Sequence, residues 1–265
     1  MLYRFLSSLV LLSLLTACSP RLAEVAEPDG LRALTAYRYS CEPIDSLVVA
    51  AHLPALEEAY GKHLTCPEDY RDKLLAALSF YPELRDVRLE VISRRLKTSM
   101  AARPTGYAFV RGRRRYRIFV DDLTEKVHDF RLADYSAQVG IFIHELGHVM
   151  HYRTRSNAQL IADGSRYLTS EKFRHEYEVI ADGYGFDHGG GYYLHLISAF
   201  IMGADLTPEY RAYKEANYRS PGELLDVHHR HVRRAGRAYS RSCVLNERAA
   251  RKREKAAKKE IRDER

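Results

Sequence analysis

Between Val139 and Met150 the chain is uncharged and mostly apolar except at three positions, His144, Glu145 and His148. A helix that is apolar nearly all round is buried, and buried imidazoles and carboxylates are costly unless something pairs with them. The spacing says what could. Positions four apart on an α-helix differ by about 40° of rotation and about 6 Å of rise. His144 and His148 therefore point the same way and can reach one metal ion at about 2.0–2.1 Å. Glu145 points off that axis, where its carboxylate can take a proton from a water activated at the metal instead of binding the metal. The bland alternative is a pair of hydrogen-bonded core histidines beside a snorkelling glutamate. It gives no reason for three ionisable groups on so apolar a background.

The pattern is H-E-x-x-H, and a catalytic ion held by it needs a third protein ligand. In the extended form H-E-x-x-H-x-x-G-x-x-H the glycine position is occupied here by His151 and the last histidine position by Thr154, so that form fails. The other source is an acid on a second helix. Glu178 and Asp182 fall four apart on one helix face, with Ala181 small enough for a close helix–helix approach; Glu171 and Glu176 are rival ligands. Glu178, Ala181 and Asp182 form E-x-x-A-D, and with His144-Glu145-x-x-His148 the chain resembles the gluzincin zinc metallopeptidases. The resemblance covers residues 139 to 187, under a fifth of the chain. It implies one catalytic Zn2+ bound by His144, His148 and Glu178, and Glu145 as general base. Asp182 would hold the far nitrogen of a ligand histidine, which sets its tautomer and raises its basicity. It also implies a zincin-like α+β fold, mainly helical, with a small sheet or hairpin packed on the H-E-x-x-H helix. An edge strand upstream would pair with extended peptide.

Hydrolysis would also need a donor for the developing oxyanion. His188, His195, His228, His229, His231, Tyr184 and Tyr192 are all candidates, and the sequence does not separate them. His151 shares the face of His144 and His148, either flanking the substrate or lying partly exposed at the helix end. Gly147 reads as a close-packing position.

Elsewhere the apolar spacing predicts helices over residues 44–60 and 67–80, the latter opened by Pro67 and stopped by Pro82. Residues 87–92 alternate, with Val87, Leu89 and Val91 on one face, as in a half-buried strand. Tyr107 to Val110 and Tyr116 to Val120 read as a hairpin across an arginine-rich turn, with Tyr116 to Val120 as the expected edge strand. That turn either favours acidic peptide at the cleft rim or is simply solvated. Further helices are expected from about 135 to 152, 170 to 185, 192 to 202, 208 to 218 and 222 to 243, with Gly189-Gly190-Gly191 as a breaker. Helices, a short sheet, then helices argue for α+β.

The first residues belong outside that fold. Arg4 and the apolar run Leu6 to Leu15 are too short to span a bilayer and read as an export signal. Leu15-Thr16-Ala17-Cys18 resembles the lipobox of bacterial lipoprotein precursors, implying cleavage before Cys18 and lipid on its sulfur. The expected divisions are a signal peptide (1–17), a tether (18–40), the metallopeptidase domain (41–245) and a charged tail (246–265). Ser19 after the cysteine points to the outer membrane, facing the periplasm. In an oxidising compartment three remaining cysteines favour one disulfide and one leftover. Cys41 with Cys66 closes the shortest loop, while Cys243 with either would tie the C-terminal end back. The net charge of +7 is modest, and an exported chain without an aromatic–basic reading module has no nucleic-acid partner. Expected partners are a peptide or protein substrate and the membrane, through the lipid.

Two further readings share the ligand set: a zinc amidase of cell-wall peptides, and a non-catalytic zinc-bound scaffold. An intact Glu145 argues against the scaffold. The ligands suit zinc best without excluding cobalt or manganese.

Overall fold

A computed structural model describes residues 31–105 and 114–236, together with Cys243 and Arg248. Cys18, the run Tyr107 to Val110 and, Arg248 apart, the charged tail lie outside the described residues. The chain is mainly helical α+β. A short helix α1 (Arg32–Thr35) leads to α2 (Ser46–Tyr60), whose first turn is capped by Asp45 accepting from the Leu47 N–H at 2.8 Å. Strand β1 (Leu64–Thr65) and α3 (Glu68–Leu78) follow. Next come β2 (Arg88–Ser93), β3 (Met100–Pro104) and β4 (Arg115–Val120). Six helices complete the described fold: α4 (Tyr135–Thr154), α5 (Asn157–Thr169), α6 (Glu171–Asp187), α7 (Gly191–Gly203), α8 (Pro208–Asn217) and α9 (Pro221–Arg234). None of the described helices is long and apolar enough to cross a membrane.

The sheet has the order β1-β2-β4-β3, parallel except for β3, which runs antiparallel to β4. Alternation gives it one buried face. Leu89 and Val91 of β2, Tyr116, Ile118 and Val120 of β4, and Met100 and Ala102 of β3 all point into the core. The expected edge strand is corrected here. Tyr116 to Val120 lies inside the sheet between β2 and β3, and the edge is Met100–Pro104. The reason is that β3 supplies β4's antiparallel partner, with Ala102 opposite Ile118.

Helix α4 is the axis of the molecule, packed against α3, α6, α7 and β3. That explains its apolar composition: it has almost no solvent face. Two glycines let neighbours come close. A Cβ on Gly140 would meet the Tyr193 carbonyl oxygen of α7, and one on Gly147 would lie 2.3 Å from the Ala181 carbonyl oxygen of α6. Helix α9 ends at Arg234 and Gly236 takes φ +65°; residues 237–242 of the expected extension to Cys243 lie outside the described residues.

Leu31 and Leu34 are buried, so packing already begins within the stretch expected to be a tether. The expected Cys41–Cys66 disulfide is also corrected. Cys41 joins Cys243, with Cα atoms 5.1 Å apart, and Cys66 is the free thiol among the described residues. The short loop loses because the fold brings the two ends of the domain together. The bond points to an oxidising, extracytoplasmic compartment. Burial pushes the Cys66 thiol up to about 12, which keeps it unreactive.

Candidate metal centre

His144 and His148 sit on consecutive turns of α4, and α6 crosses them at Gly147 and Ala181. That crossing delivers Glu178 to the pair. Its Oε2 lies 3.0 Å from His144 Nε2 and 3.2 Å from His148 Nε2. The three side chains are buried or nearly so, and together they form a group able to hold a metal ion. Ligands at about 2.0–2.1 Å from a tetrahedral ion stand about 3.3 Å from one another. The observed separations already match that figure, and the donor set of two imidazoles and one carboxylate suits zinc.

The rival acids are elsewhere. Glu171 and Glu176 are exposed on α6, and Glu176 faces Lys172 at 3.9 Å. Asp182, one turn on from Glu178, accepts from His144 Nδ1 at 2.9 Å and leaves Nε2 directed at Glu178. The other oxygen of Glu178 accepts from the Tyr167 hydroxyl of α5 at 2.9 Å. His148 is oriented differently, by stacking on Tyr177 at 5.4 Å and 24°. Burial alone would depress His144, but its bonds to Asp182 and Glu178 outweigh it and hold its pKa well above the ordinary imidazole value. Burial would likewise raise Glu178, yet His148 and His144 hold it well below the usual carboxylate range.

Glu145 points away from this trio, as the helix geometry demands. Its Oε2 accepts from the Ala102 backbone N–H of β3 at 2.5 Å. The Ala102 carbonyl accepts from the Tyr152 hydroxyl at 3.0 Å. In the β3–β4 pair the odd-numbered residues of β3 bond to β4, as at Ser99 and Thr105, so Ala102 turns outward. The outer edge at that point is thus closed by two side chains of α4, and Ala102 is fully buried.

A cleft of about 250 Å³ opens beside His144 and Glu145. Its lining combines the apolar Ile141, Leu194, Ile197 and Ile201 with Lys214 and Tyr218. The Tyr218 ring lies 6.1 Å from that of His144. The candidates for an oxyanion donor are spent elsewhere. His188 bonds the Tyr184 carbonyl and Glu83, His195 the Pro221 carbonyl, and His228 the Ser40 carbonyl. His231 faces Asp187 at 3.7 Å, and His229, Tyr184 and Tyr192 are also absent from the cleft lining. Tyr218 was not among those candidates, because nothing local marks a tyrosine after α8 as a neighbour of α4. His151 is corrected from a partly exposed residue to a buried one, set against Tyr177 and Asp163.

The α4–α6 crossing has no room for a methyl group. Gly147→Ala is expected to cost about 1–3 kcal/mol by overpacking and to weaken metal binding by moving Glu178 off the histidines. Thermal melting and a zinc-chelator competition on the same variant check both effects.

Comparison with protein-family models, with curated proteins and with solved structures finds no match to this chain.

Proposed function

We propose that the chain is a zinc-dependent peptidase acting outside the cytoplasm, with the ion held by His144, His148 and Glu178. The observation that carries this reading is Glu178 Oε2 facing Nε2 of both histidines while Glu145 stands free of the trio on the cleft side. Zinc, when bound, supplies a Lewis acid for the scissile carbonyl and lowers the pKa of water.

The chain's own residues divide the remaining work. Glu145 takes a proton from the attacking water and returns it to the leaving amine. Its Ala102 N–H bond fixes the carboxylate and leaves the second oxygen for that proton. Asp182 keeps His144 in the tautomer that offers Nε2, and Tyr167 occupies one oxygen of Glu178 so that the other faces the imidazoles. Tyr218 is a donor on the cleft lining, its ring 6.1 Å from that of His144. Burial, with Glu178 adding to it, holds its pKa well above the ordinary phenol value, so the hydroxyl keeps its proton to donate to a developing oxyanion. The apolar lining excludes water and seats an apolar side chain next to the cut.

The test is metal content and peptide hydrolysis for the wild type and Glu178→Ala. The wild type should bind about one zinc and cut unstructured peptides. The variant should lose zinc affinity by at least about 100-fold and lose activity with it. Full zinc in both would move the third ligand, and a zinc-loaded wild type that cuts no peptide would end the peptidase reading.

A further inference from the structure

Lys214 is a cation set against an aromatic ring instead of a carboxylate. It lies in the last turn of α8, and its Nζ sits 3.6 Å from the centre of the Tyr218 ring, on the wall of the cleft that holds His144 and Glu145. Among the described residues no carboxylate lies within ion-pair distance of it. The acids around it are already committed. Glu145 is bonded to the Ala102 N–H, Asp182 to His144, and Glu178 to both histidines and Tyr167. Glu223 closes the cap of α9 on Ser220, and Glu215 is exposed. An aromatic face is a weaker partner for an ammonium than a carboxylate is, and a partly desolvated charge gains most when a ligand brings its opposite.

We propose that Lys214 is the anchor for a substrate carboxylate, so that the cleft takes a residue carrying both an apolar portion and a carboxylate. The inference rests on the reading of this cleft as the place where peptide is cut. The cleft that Lys214 lines is also lined by Ile141, Leu194, Ile197 and Ile201. A ligand filling the cleft presents hydrocarbon to its aliphatic lining and an anion to the lysine. A chain end with an aliphatic side chain does this, and so does a glutamate inside a peptide; the chemistry toward Lys214 is the same. Burial lowers Lys214 to about 8, so the ammonium persists at neutral pH. The guanidinium of Arg219, also in the lining, lies over the Phe186 ring at 5.7 Å.

The test measures binding, independently of turnover. The metal-free full-length chain is titrated with N-acetyl-leucine, N-acetyl-leucinamide and N-acetyl-glutamic acid α-amide, for the wild type, Lys214→Met and Lys214→Arg. The wild type should bind at least one of the two carboxylates about tenfold more tightly than leucinamide. That preference should vanish in Lys214→Met and return in Lys214→Arg, which also shows that the pocket remains folded. Preference for N-acetyl-leucine identifies a chain end, and preference for the glutamic amide identifies an acidic side chain; either supports the anchor. Equal binding of all three by the wild type, or a preference that survives Lys214→Met, overturns it. Failure of peptide hydrolysis with this preference intact would instead count against the peptidase reading alone.

Discussion

The Glu145→Gln chain is expected to keep its zinc and lose peptide hydrolysis by about 10²–10⁴, a barrier increase of about 3–5 kcal/mol. The reasoning is local. Glu145 lies outside the trio of His144, His148 and Glu178, so the substitution removes none of the three donors. A glutamine can still accept the Ala102 N–H, so the tie between α4 and β3 survives. What it cannot do is accept a proton at neutral pH. Zinc stoichiometry and kcat on one substrate decide the matter together: a variant that holds zinc and still turns over would remove Glu145 from the mechanism. A variant that loses zinc would mean that Glu145 belongs to the binding site after all.

The second large effect is on stability. The Cys41–Cys243 bond spans 202 residues, and closing a loop of that length restricts the unfolded chain by about 5 kcal/mol in the loop-entropy account. Cys41→Ser and Cys243→Ser should each lower the melting temperature by roughly 10–20 °C in a domain of this size. Cys66→Ser removes no cross-link and should shift it by only a few degrees. Melting curves of the three variants under non-reducing conditions make the comparison. A drop confined to Cys41→Ser and Cys66→Ser would restore the short-loop pairing.

That pairing illustrates where reading along the chain stops. Loop arithmetic favours neighbours, and only the packed fold brings residue 243 beside residue 41. The metal trio was legible because each part lies on its own helix with helical spacing: an apolar α4 carrying His144 and His148, and an α6 carrying Glu178, Ala181 and Asp182. Helix α5 was not expected, although Ser156 and Gln159 form a capping box at its start. Leu160, Ile161, Tyr167 and Leu168 recur at helical spacing, but they lie in a polar, mostly exposed stretch too sparse in apolar residues to stand out, and with it went Tyr167. Strand β3 was missed for a different reason. Met100-Ala101-Ala102-Arg103-Pro104 has no β-branched residue, and its strand state depends on β4 and α4 flanking it. Tyr218 and Lys214 reach the cleft from α8 and its C-terminal end, which no spacing rule connects to α4.

The backbone contact between Gly147 and Ala181 has a consequence for how the protein acquires its ion. Two helices that touch through backbone atoms cannot slide without unpacking the core, so the imidazoles and the carboxylate are held in register by the fold. The ordering entropy is met when the domain folds, not when the ion arrives. On the proposed reading, metal uptake would thereby be uncoupled from folding, unlike in small domains that exist only as the loaded form. A chain of this design would fold empty and load its ion last, from whatever its surroundings provide.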